Sequence, residues 1–444
     1  MTSHLLRTPI GTVLLVLALL PFPGHAREWY AQPSSSLRTF YDDNLLLRQS
    51  DDKFEAFGAT LSAKSKFGVR SEIYDIAGDA RVDINRYEAR DNIDSENFFF
   101  NGFSTYNLTD RNQFGLKGNY TMDNSIISEF DASGLVQALV DRTSWSIDPS
   151  WTYRLTERAS LTGSYNHTDV SFAENTSNNF LTSYATDSAT LNYSLQWTER
   201  LLWYSAVSAL RFDVPETTTS VTGTVQLPIS GGSIIVPGIS DTTSGSVSDM
   251  YTFQTGVRFN ITETWDSELM AGGRWTEVES TQFQVFRPSP GIPIQPITFG
   301  STSPESSSGL GYLLTASTTK RFEKSSIGAR FYQDVRPTAN GVLQEYMGLT
   351  LDGEHRLNEH LRLNLTASAT QQTSAANEDQ PSRFDRDAYM VEPKLSWLID
   401  RHMTLTGGYR YRSQEFTANN SGMQESNSVY FLFNYQWDKF AISR

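Results

Sequence analysis

Apolar and polar residues alternate one by one over short stretches along most of the chain. In VYFLFNYQW, residues 429–437, every second residue is apolar or aromatic. The same alternation recurs at residues 144–154, 188–197, 251–261, 361–370 and 404–412. Because successive side chains of a β-strand point to opposite faces, each stretch is predicted to be a strand with one apolar and one polar face.

Short segments of related chemistry separate these strands. They are LTDRN (108–112), LTERA (155–159), WTERL (197–201), ITETW (261–265), RFEKS (321–325), RLNEH (356–360) and LIDRH (398–402). Each combines an apolar residue with small polar or charged residues, and each is short enough to join antiparallel neighbours. KSKFGV (64–69) is interpreted as a further turn of this kind.

Longer and more irregular segments alternate with the short turns. Transmembrane β-barrels have this arrangement, with short periplasmic turns and long extracellular loops, and the turns predict about 18 strands. Trp197, Trp265 and Trp397 lie beside short turns, as expected of an aromatic girdle at a membrane interface. We therefore predict an all-β fold, a single outer-membrane barrel domain at residues 27–444, integral to the outer membrane of a Gram-negative bacterium. A secreted β-sandwich or solenoid is the alternative.

The N-terminal segment has the order of a secretory signal peptide, predicted at residues 1–26. Arg7 precedes an apolar run from Ile10 to Leu20, and small residues end at Ala26. The run is shorter than the roughly 18 residues that a spanning helix needs, so an uncleaved anchor is the less favoured alternative. An exported barrel implies outer-membrane lipid and the barrel assembly machinery as partners. The last alternating strand resembles the C-terminal signal that this machinery reads.

Composition excludes several classes of function. The chain has no cysteine and a formal net charge of −14. Disulfides and thiolate metal sites are therefore excluded, and nucleic acid is not an expected partner, because binding to phosphates needs clustered lysine and arginine. His167, with Asn166 and Asp169 nearby, is the best candidate for a catalytic histidine. Nothing else supports catalysis, so we expect no enzyme activity, no catalytic residue, no metal and no cofactor.

The polar face of the strands is predicted to line the lumen. The candidate lumen-lining residues along the path of a solute are Arg81, Arg154, Arg258, Arg274, Arg330, Arg362, Arg410, Arg412, Asp79, Asp83, Asp334 and Glu392. Mixed charges with a surplus of arginine suit a hydrated channel for a hydrophilic and in particular an anionic solute. In the alternative interpretation, opposite charges pair across neighbouring strands and confer no selectivity.

Two features interrupt the regular pattern. Pro149 and Pro393 fall inside strands, and we expect a bulge or kink at each, because proline lacks a ladder donor. Residues 213–247 and 287–309 are interpreted as long extracellular loops, either an apolar lid over the mouth or variable surface loops. Within the first, VQLPISGGSIIVP (225–237) is predicted to be a hairpin that turns at its two central glycines.

The motif FYDDN, Phe40 to Asn44, ends the first predicted strand. With the repeated short turns, it resembles the outer-membrane family called β-barrel porin 2, whose members accompany exopolysaccharide synthesis and secretion. The resemblance implies passive export of a polysaccharide (exopolysaccharide or capsule) through a hydrated lumen, with a separate periplasmic polysaccharide-export protein as partner. The alternative function is a general or solute-selective uptake porin, for which we expect a constriction formed by an inward-folded loop. An outer-membrane enzyme or adhesin is a third hypothesis.

Overall fold

The computed structural model describes residues 27–89, 93–124, 140–173, 181–229, 232–290, 292, 294–374, 385–417 and 422–443. The predicted signal peptide lies outside the described residues. The strands are β1 Glu28–Asp42, β2 Ala56–Arg70, β3 Tyr74–Ala89, β4 Ser95–Asn107, β5 Asn112–Asn124, β6 Asp141–Arg154, β7 Ala159–Phe172, β8 Tyr184–Thr198, β9 Leu201–Ile229, β10 Gly232–Thr262, β11 Trp265–Pro288, β12 Ile297–Arg321, β13 Ser325–Pro337, β14 Leu343–Arg356, β15 Leu361–Ser374, β16 Arg386–Leu398, β17 Met403–Phe416, β18 Gln424–Gln436 and β19 Phe440–Ser443. The described residues include one short 3-10 helix, Ser50–Asp52, and no helix long and apolar enough to cross a membrane.

Each strand from β1 to β17 pairs antiparallel with the next, and β18 and β19 both return to β1. β18 pairs with β1, with Val429 opposite Tyr41, so the sheet closes into a barrel. The prediction of 18 strands is confirmed, with β19 as a continuation of β18. Closure removes the two free edge strands of an open sheet, which suits a membrane interior where no water can satisfy backbone groups.

The outer face of the wall is apolar. Leu61, Leu191, Tyr251 and Phe431 are all exposed on it, and so is Trp197 beside the turn between β8 and β9. In a protein in water, an exposed apolar surface of this extent would be an aggregation hazard. In a closed barrel it is the surface that contacts lipid. The protein is therefore an integral outer-membrane protein, as predicted.

The short turns share one hydrogen-bonding pattern. In four of them the N–H of an apolar residue donates to a carbonyl four residues later: Leu108 to Asn112, Leu155 to Ala159, Leu357 to Leu361 and Ile399 to Met403. The next residue along, Thr109, Thr156, Asn358 or Asp400, accepts two backbone N–H groups with its side chain. Side-chain acceptors of this kind stabilise tight turns. The assignment of residues 64–69 as a turn is wrong: they belong to β2, and residues 71–73 make the turn.

The two strand prolines cause no shift in register. Pro149 and Pro393 each keep a ladder partner on one side, Leu116 and Leu365 respectively. On the other side the ladder skips two pairs and then resumes in the same register. The predicted bulges are therefore absent at both positions. Each proline removes its donor from one ladder only, and the intact neighbouring ladder keeps the strand in register.

The two segments interpreted as long loops are largely strands, with a connection at residues 289–296 between β11 and β12. β9, β10, β11 and β12 continue well beyond the length of the other strands and form a four-stranded extension on the extracellular side. The hairpin within residues 225–237 is confirmed by the pairing of Ile229 with Gly232, whereas the turn residues 230–231 lie outside the described part. Neither a lid of loops nor irregular surface loops describes this extension.

The closing strand is broken in two. The pairing of Ser34 with Gln436 gives way to that of Ala31 with Phe440, so three residues of the C-terminal strand oppose two of β1. This one-residue excess is a bulge. It occurs at Pro33, whose carbonyl accepts the N–H of Trp437 at 3.1 Å. β19 thereby covers the first residues of β1.

Candidate functional site: the lumen and its extracellular mouth

All twelve predicted lumen residues belong to the inward face by strand alternation. On β17, for example, Tyr409 is exposed on the outer wall, so Arg410 and Arg412 point inward. On β3 the outward residues Val82 and Ile84 place Asp83 inside. Their inward position follows from strand alternation, because a barrel wall has only two faces, and their role along the path of a solute stays a prediction.

Most of these charges are paired. The ion pairs involving predicted residues are Arg81 with Asp83 at 3.2 Å, Lys64 with Asp79 at 3.1 Å, Arg258 with Glu268 at 2.6 Å, Arg274 with Glu345 at 2.5 Å, Arg336 with Asp334 at 2.8 Å, Arg410 with Glu392 at 3.0 Å, Lys394 with Glu392 at 3.7 Å and Arg412 with Asp42 at 2.8 Å. Arg154 instead donates to the carbonyl of Asp110 at a periplasmic turn. Pairing across strands stabilises the wall and reduces the field of each charge in the lumen.

Arg330 and Arg362 differ from the other predicted arginines. Both are exposed on the inner face, and neither has an ion-pair partner among the described residues. Arg330 lies opposite Ser317 and Thr350, and Arg362 lies opposite Ser396 and Arg356. Of the predicted arginines, these two therefore present to the lumen a charge that has no ion-pair partner among the described residues.

The loop between β1 and β2, residues 43–55, folds onto the inner wall at the mouth. We call it the first loop. Its carbonyls at Leu45 and Leu47 accept hydrogen bonds at 3.5 Å from Arg412 and Gln414, which point inward from β17. Phe54 of the loop is buried in an apolar cluster with Ala56 and Ile93. The first loop therefore occupies space inside the barrel.

The FYDDN motif holds the first loop in this position by hydrogen bonds. Asp42 accepts hydrogen bonds from Arg412, Ser426 and the N–H of Asn44, and Asp43 accepts two from Asn427. The fully buried side chain of Asn44 accepts the N–H groups of Arg48 and Phe54 and donates to the carbonyls of Arg48 and Glu425. One asparagine thus satisfies backbone groups at both ends of the loop and on β18.

Sequence reasoning missed several inner residues around this motif. Arg38 lies 4.6 Å from the ring centroid of Tyr430, and the Tyr430 hydroxyl donates to Glu392 at 2.5 Å. Phe40 packs edge-on against Tyr87 at 5.9 Å. The alternation in LRTFYD would have assigned Arg38, Phe40 and Asp42 to the inner face.

A second segment also enters the mouth. The turn between β13 and β14, residues 338–342, is called here the β13–β14 tip. The carbonyl of Ala339 accepts the N–H of Thr182 at 2.7 Å, and the carbonyl of Gly341 accepts the hydroxyl of Ser246 at 3.3 Å. Thr182 precedes β8, and Ser246 lies on β10. The tip therefore leaves its own part of the wall and contacts another part of the barrel. The mouth is narrowed at two places.

His167 lies outside this site. It shares the outer face with Tyr165, and its Nδ1 lies 2.8 Å from Oδ1 of Asp187, while Trp145 packs against its ring at 5.0 Å. No serine, threonine or tyrosine nucleophile contacts the imidazole among the described residues. The described residues also contain no group of three or more potential metal-ligating side chains.

No protein-family model matches the chain, and no curated protein matches it. The chain is similar in fold to the ferric yersiniabactin uptake receptor FyuA from Yersinia pestis, with 10% identity and a TM-score of 0.48 over 95% of this chain and 72% of that chain. It is also similar to OccAB3 from Acinetobacter baumannii, with 10% identity and a TM-score of 0.44 over 92% and 99% of the two chains. The ferric-catecholate import receptor Fiu from E. coli K12 gives 10% identity and a TM-score of 0.45 over 94% and 82%. These likenesses concern the barrel fold alone.

Proposed function

We propose that the protein is a solute-selective outer-membrane channel that admits small hydrophilic solutes. The observation that carries this proposal is the first loop, which is bonded to the inner wall and reduces the opening at the mouth. An inward-folded loop is the feature that distinguishes an uptake porin from a wide export conduit. The β13–β14 tip narrows the same mouth from another side.

The inner wall gives the channel its chemistry. Paired charges and polar side chains keep the lumen hydrated without a strong field of either sign. Arg330 and Arg362, exposed and without an ion-pair partner among the described residues, favour anions over cations. The selectivity we propose is therefore modest and depends on these two arginines.

Conductance and solute uptake test the proposal. Purified protein in a planar bilayer should give steady open channels, and vesicles containing it should swell in small sugars but not in large oligosaccharides. Absence of conductance in the bilayer together with absence of swelling in small sugars would contradict the proposed function.

Polysaccharide export, with a periplasmic partner protein, stays a prediction from the resemblance of FYDDN. In this structure Asp42, Asp43 and Asn44 of the motif fasten the first loop, a local role that does not require export. Deleting the gene and measuring extracellular polysaccharide separates the two functions. Reduced secretion with normal solute uptake would favour export over the channel.

A further inference from the structure

The barrel wall is incomplete between β12 and β13 on its extracellular side. Their ladder runs only from Arg321 opposite Ser326 to Leu314 opposite Gln333. Beyond it, β12 continues to Ile297 with a ladder partner only on β11, and β13 continues to Pro337 with a partner only on β14, within the part of the chain that the structure describes. We call this opening the notch.

The notch exists because the β13–β14 tip leans into the barrel. Val335 and Leu343 belong to the outward face of their strands by alternation with Ile327 and Leu351. Yet both are buried, in one cluster with Phe212, Val214 and Met250 from the inner face of β9 and β10. Residues that would contact lipid in a regular wall are instead packed inside the mouth, so their strands cannot continue alongside β12.

The edge of β12 at the notch has small residues on its inner face and apolar residues on its outer face. On its inner face are Gly309 and Gly311, and a Cβ at Gly309 would meet no atom within 4 Å. On its outer face Leu310 is 75% exposed and Tyr312 is 62% exposed. The notch therefore has an apolar outer rim, and at Gly309 and Gly311 β12 itself contributes no side chain to the inner rim.

The height of the notch places it in the membrane. Eight residues of β12 pair with β13 above the periplasmic turn. At about 3.3 Å per residue and a strand tilt of about 40°, they reach roughly 20 Å above that turn. The apolar band of such a barrel is about 25 Å tall, so the notch begins within the outer leaflet.

A buried ion pair spans the lower end of the notch. Arg274, on the inner face of β11, passes over Gly311 and places its Nη2 at 2.5 Å from the Oε2 of Glu345 on β14. The other carboxylate oxygen of Glu345 accepts a hydrogen bond from Gln333. The Arg274 side chain is 2% exposed, and its Nε has no hydrogen-bond partner among the described residues. We call Arg274, Glu345 and Gln333 the latch.

We propose that the notch is a lateral portal through which amphipathic molecules with one apolar chain pass between the extracellular mouth and the outer leaflet, and that the latch closes it. The apolar chain leaves past Leu310 and Tyr312 into lipid, while the polar group stays beside Arg274 and Gln333. This route goes beyond the proposed aqueous channel, which runs along the barrel axis and does not need the notch.

The absence of cysteine in the chain allows a direct test by labelling. The variant Gly309→Cys places a thiol on the inner face at the notch, where the added side chain has open space. The control Ser144→Cys places one on the inner face of β6, where the wall is paired on both sides with Thr121 and Val170. Both residues lie ten to twelve positions above the periplasmic ends of their strands.

The two variants are reconstituted in phospholipid vesicles that contain a phospholipid with a maleimide headgroup. A lateral portal predicts that the lipid-bound maleimide labels Gly309→Cys on the order of tenfold faster than Ser144→Cys. Equal rates, both with the latch intact and with it opened by Glu345→Gln, would overturn the portal. A small water-soluble maleimide should label both variants. Failure of that labelling would contradict the aqueous channel without bearing on the lateral route.

The latch is tested in the Gly309→Cys background. Glu345→Gln should increase labelling by the lipid-bound maleimide several-fold, and the charge-reversed pair Arg274→Glu with Glu345→Arg should restore the rate of Gly309→Cys alone. Arg321→Gln removes an exposed pair with Asp266 at the periplasmic end of the same strands and should change nothing. If Glu345→Gln leaves the labelling rate unchanged while the variant barrel remains folded in SDS without heating, the latch does not close the portal.

Discussion

The carboxylate of Asp42 lies 2.8 Å from the guanidinium of Arg412, with the two side chains 4% and 8% exposed respectively. Asp42 ends β1 and Arg412 lies on β17, so the pair joins the first strand to a strand near the end of the chain. The same carboxylate accepts the hydroxyl of Ser426 on β18. This contact fixes the start of the first loop on the inner wall and ties it to the closure of the barrel.

Asp42→Asn should destabilise the barrel strongly. Removing one partner of a buried ion pair leaves the other charge without compensation and costs about 3 to 5 kcal/mol. The free energy of unfolding, measured by urea titration in lipid vesicles, reports the loss. The control is Arg401→Gln at an ion pair with Asp438, whose side chains are 78% and 72% exposed. It should cost less than about 1 kcal/mol. Equal losses would show that the Asp42 contact has no special role.

Asn44→Ala should widen the mouth. The change deletes four hydrogen bonds that hold both ends of the first loop, each of which contributes about 1 kcal/mol. A released loop leaves the inner wall, so single-channel conductance should rise and vesicles should admit larger sugars. Asn358→Ala is the matched control, because its two hydrogen bonds lie within a periplasmic turn. Unchanged conductance in Asn44→Ala would remove the first loop from the constriction.

The part of the structure that contacts lipid could be predicted from the sequence. A strand with lipid on one face and water on the other must alternate, so the strand number, the closure and the inner position of residues such as Arg410 followed from the pattern. The extension of β9 to β12 could not be recognised in this way. Above the membrane both faces meet water, and residues such as Thr217 and Thr224 are exposed without alternation.

The inward position of the β13–β14 tip could not be predicted from the sequence either. Its turn, residues 338–342, has the small polar composition of any extracellular turn. Its position depends on Phe212, Val214 and Met250, which are distant in the sequence. The notch and the latch follow from that tertiary packing. The role of FYDDN could be recognised as a motif, but its contacts with Arg412 and Asn427 required the closed barrel.

Arg330→Glu should shift ion selectivity toward cations, and Arg362→Glu should do the same. Each change reverses a charge that is exposed to the lumen and has no ion-pair partner among the described residues. The reversal potential across a bilayer under a salt gradient measures the shift. Arg211→Glu makes the same change of charge on the outer face, where Arg211 is 56% exposed beside Asp249, and should leave the reversal potential unaltered. A shift of the same size in Arg211→Glu would mean that net charge, and not the lumen, sets selectivity.

Truncation before Phe440 should weaken the closure of the barrel. β19 supplies the ladder partners of Glu28 to Ala31 on the side of β1 that faces the chain end, and its loss leaves those backbone groups unsatisfied at the edge of the wall. We expect slower assembly in cells and unfolding at a lower temperature. Both are measured by the difference in migration between unheated and heated samples in SDS gels. Lys439→Gln removes the exposed ion pair with Glu28 and the cation–π contact with Tyr30 but retains the strand, so it should assemble as the wild type does. If the truncated barrel assembles and resists heat as the full chain does, then the bulge at Pro33 is already the functional end of the closing strand, and the β18 ladder alone seals the wall.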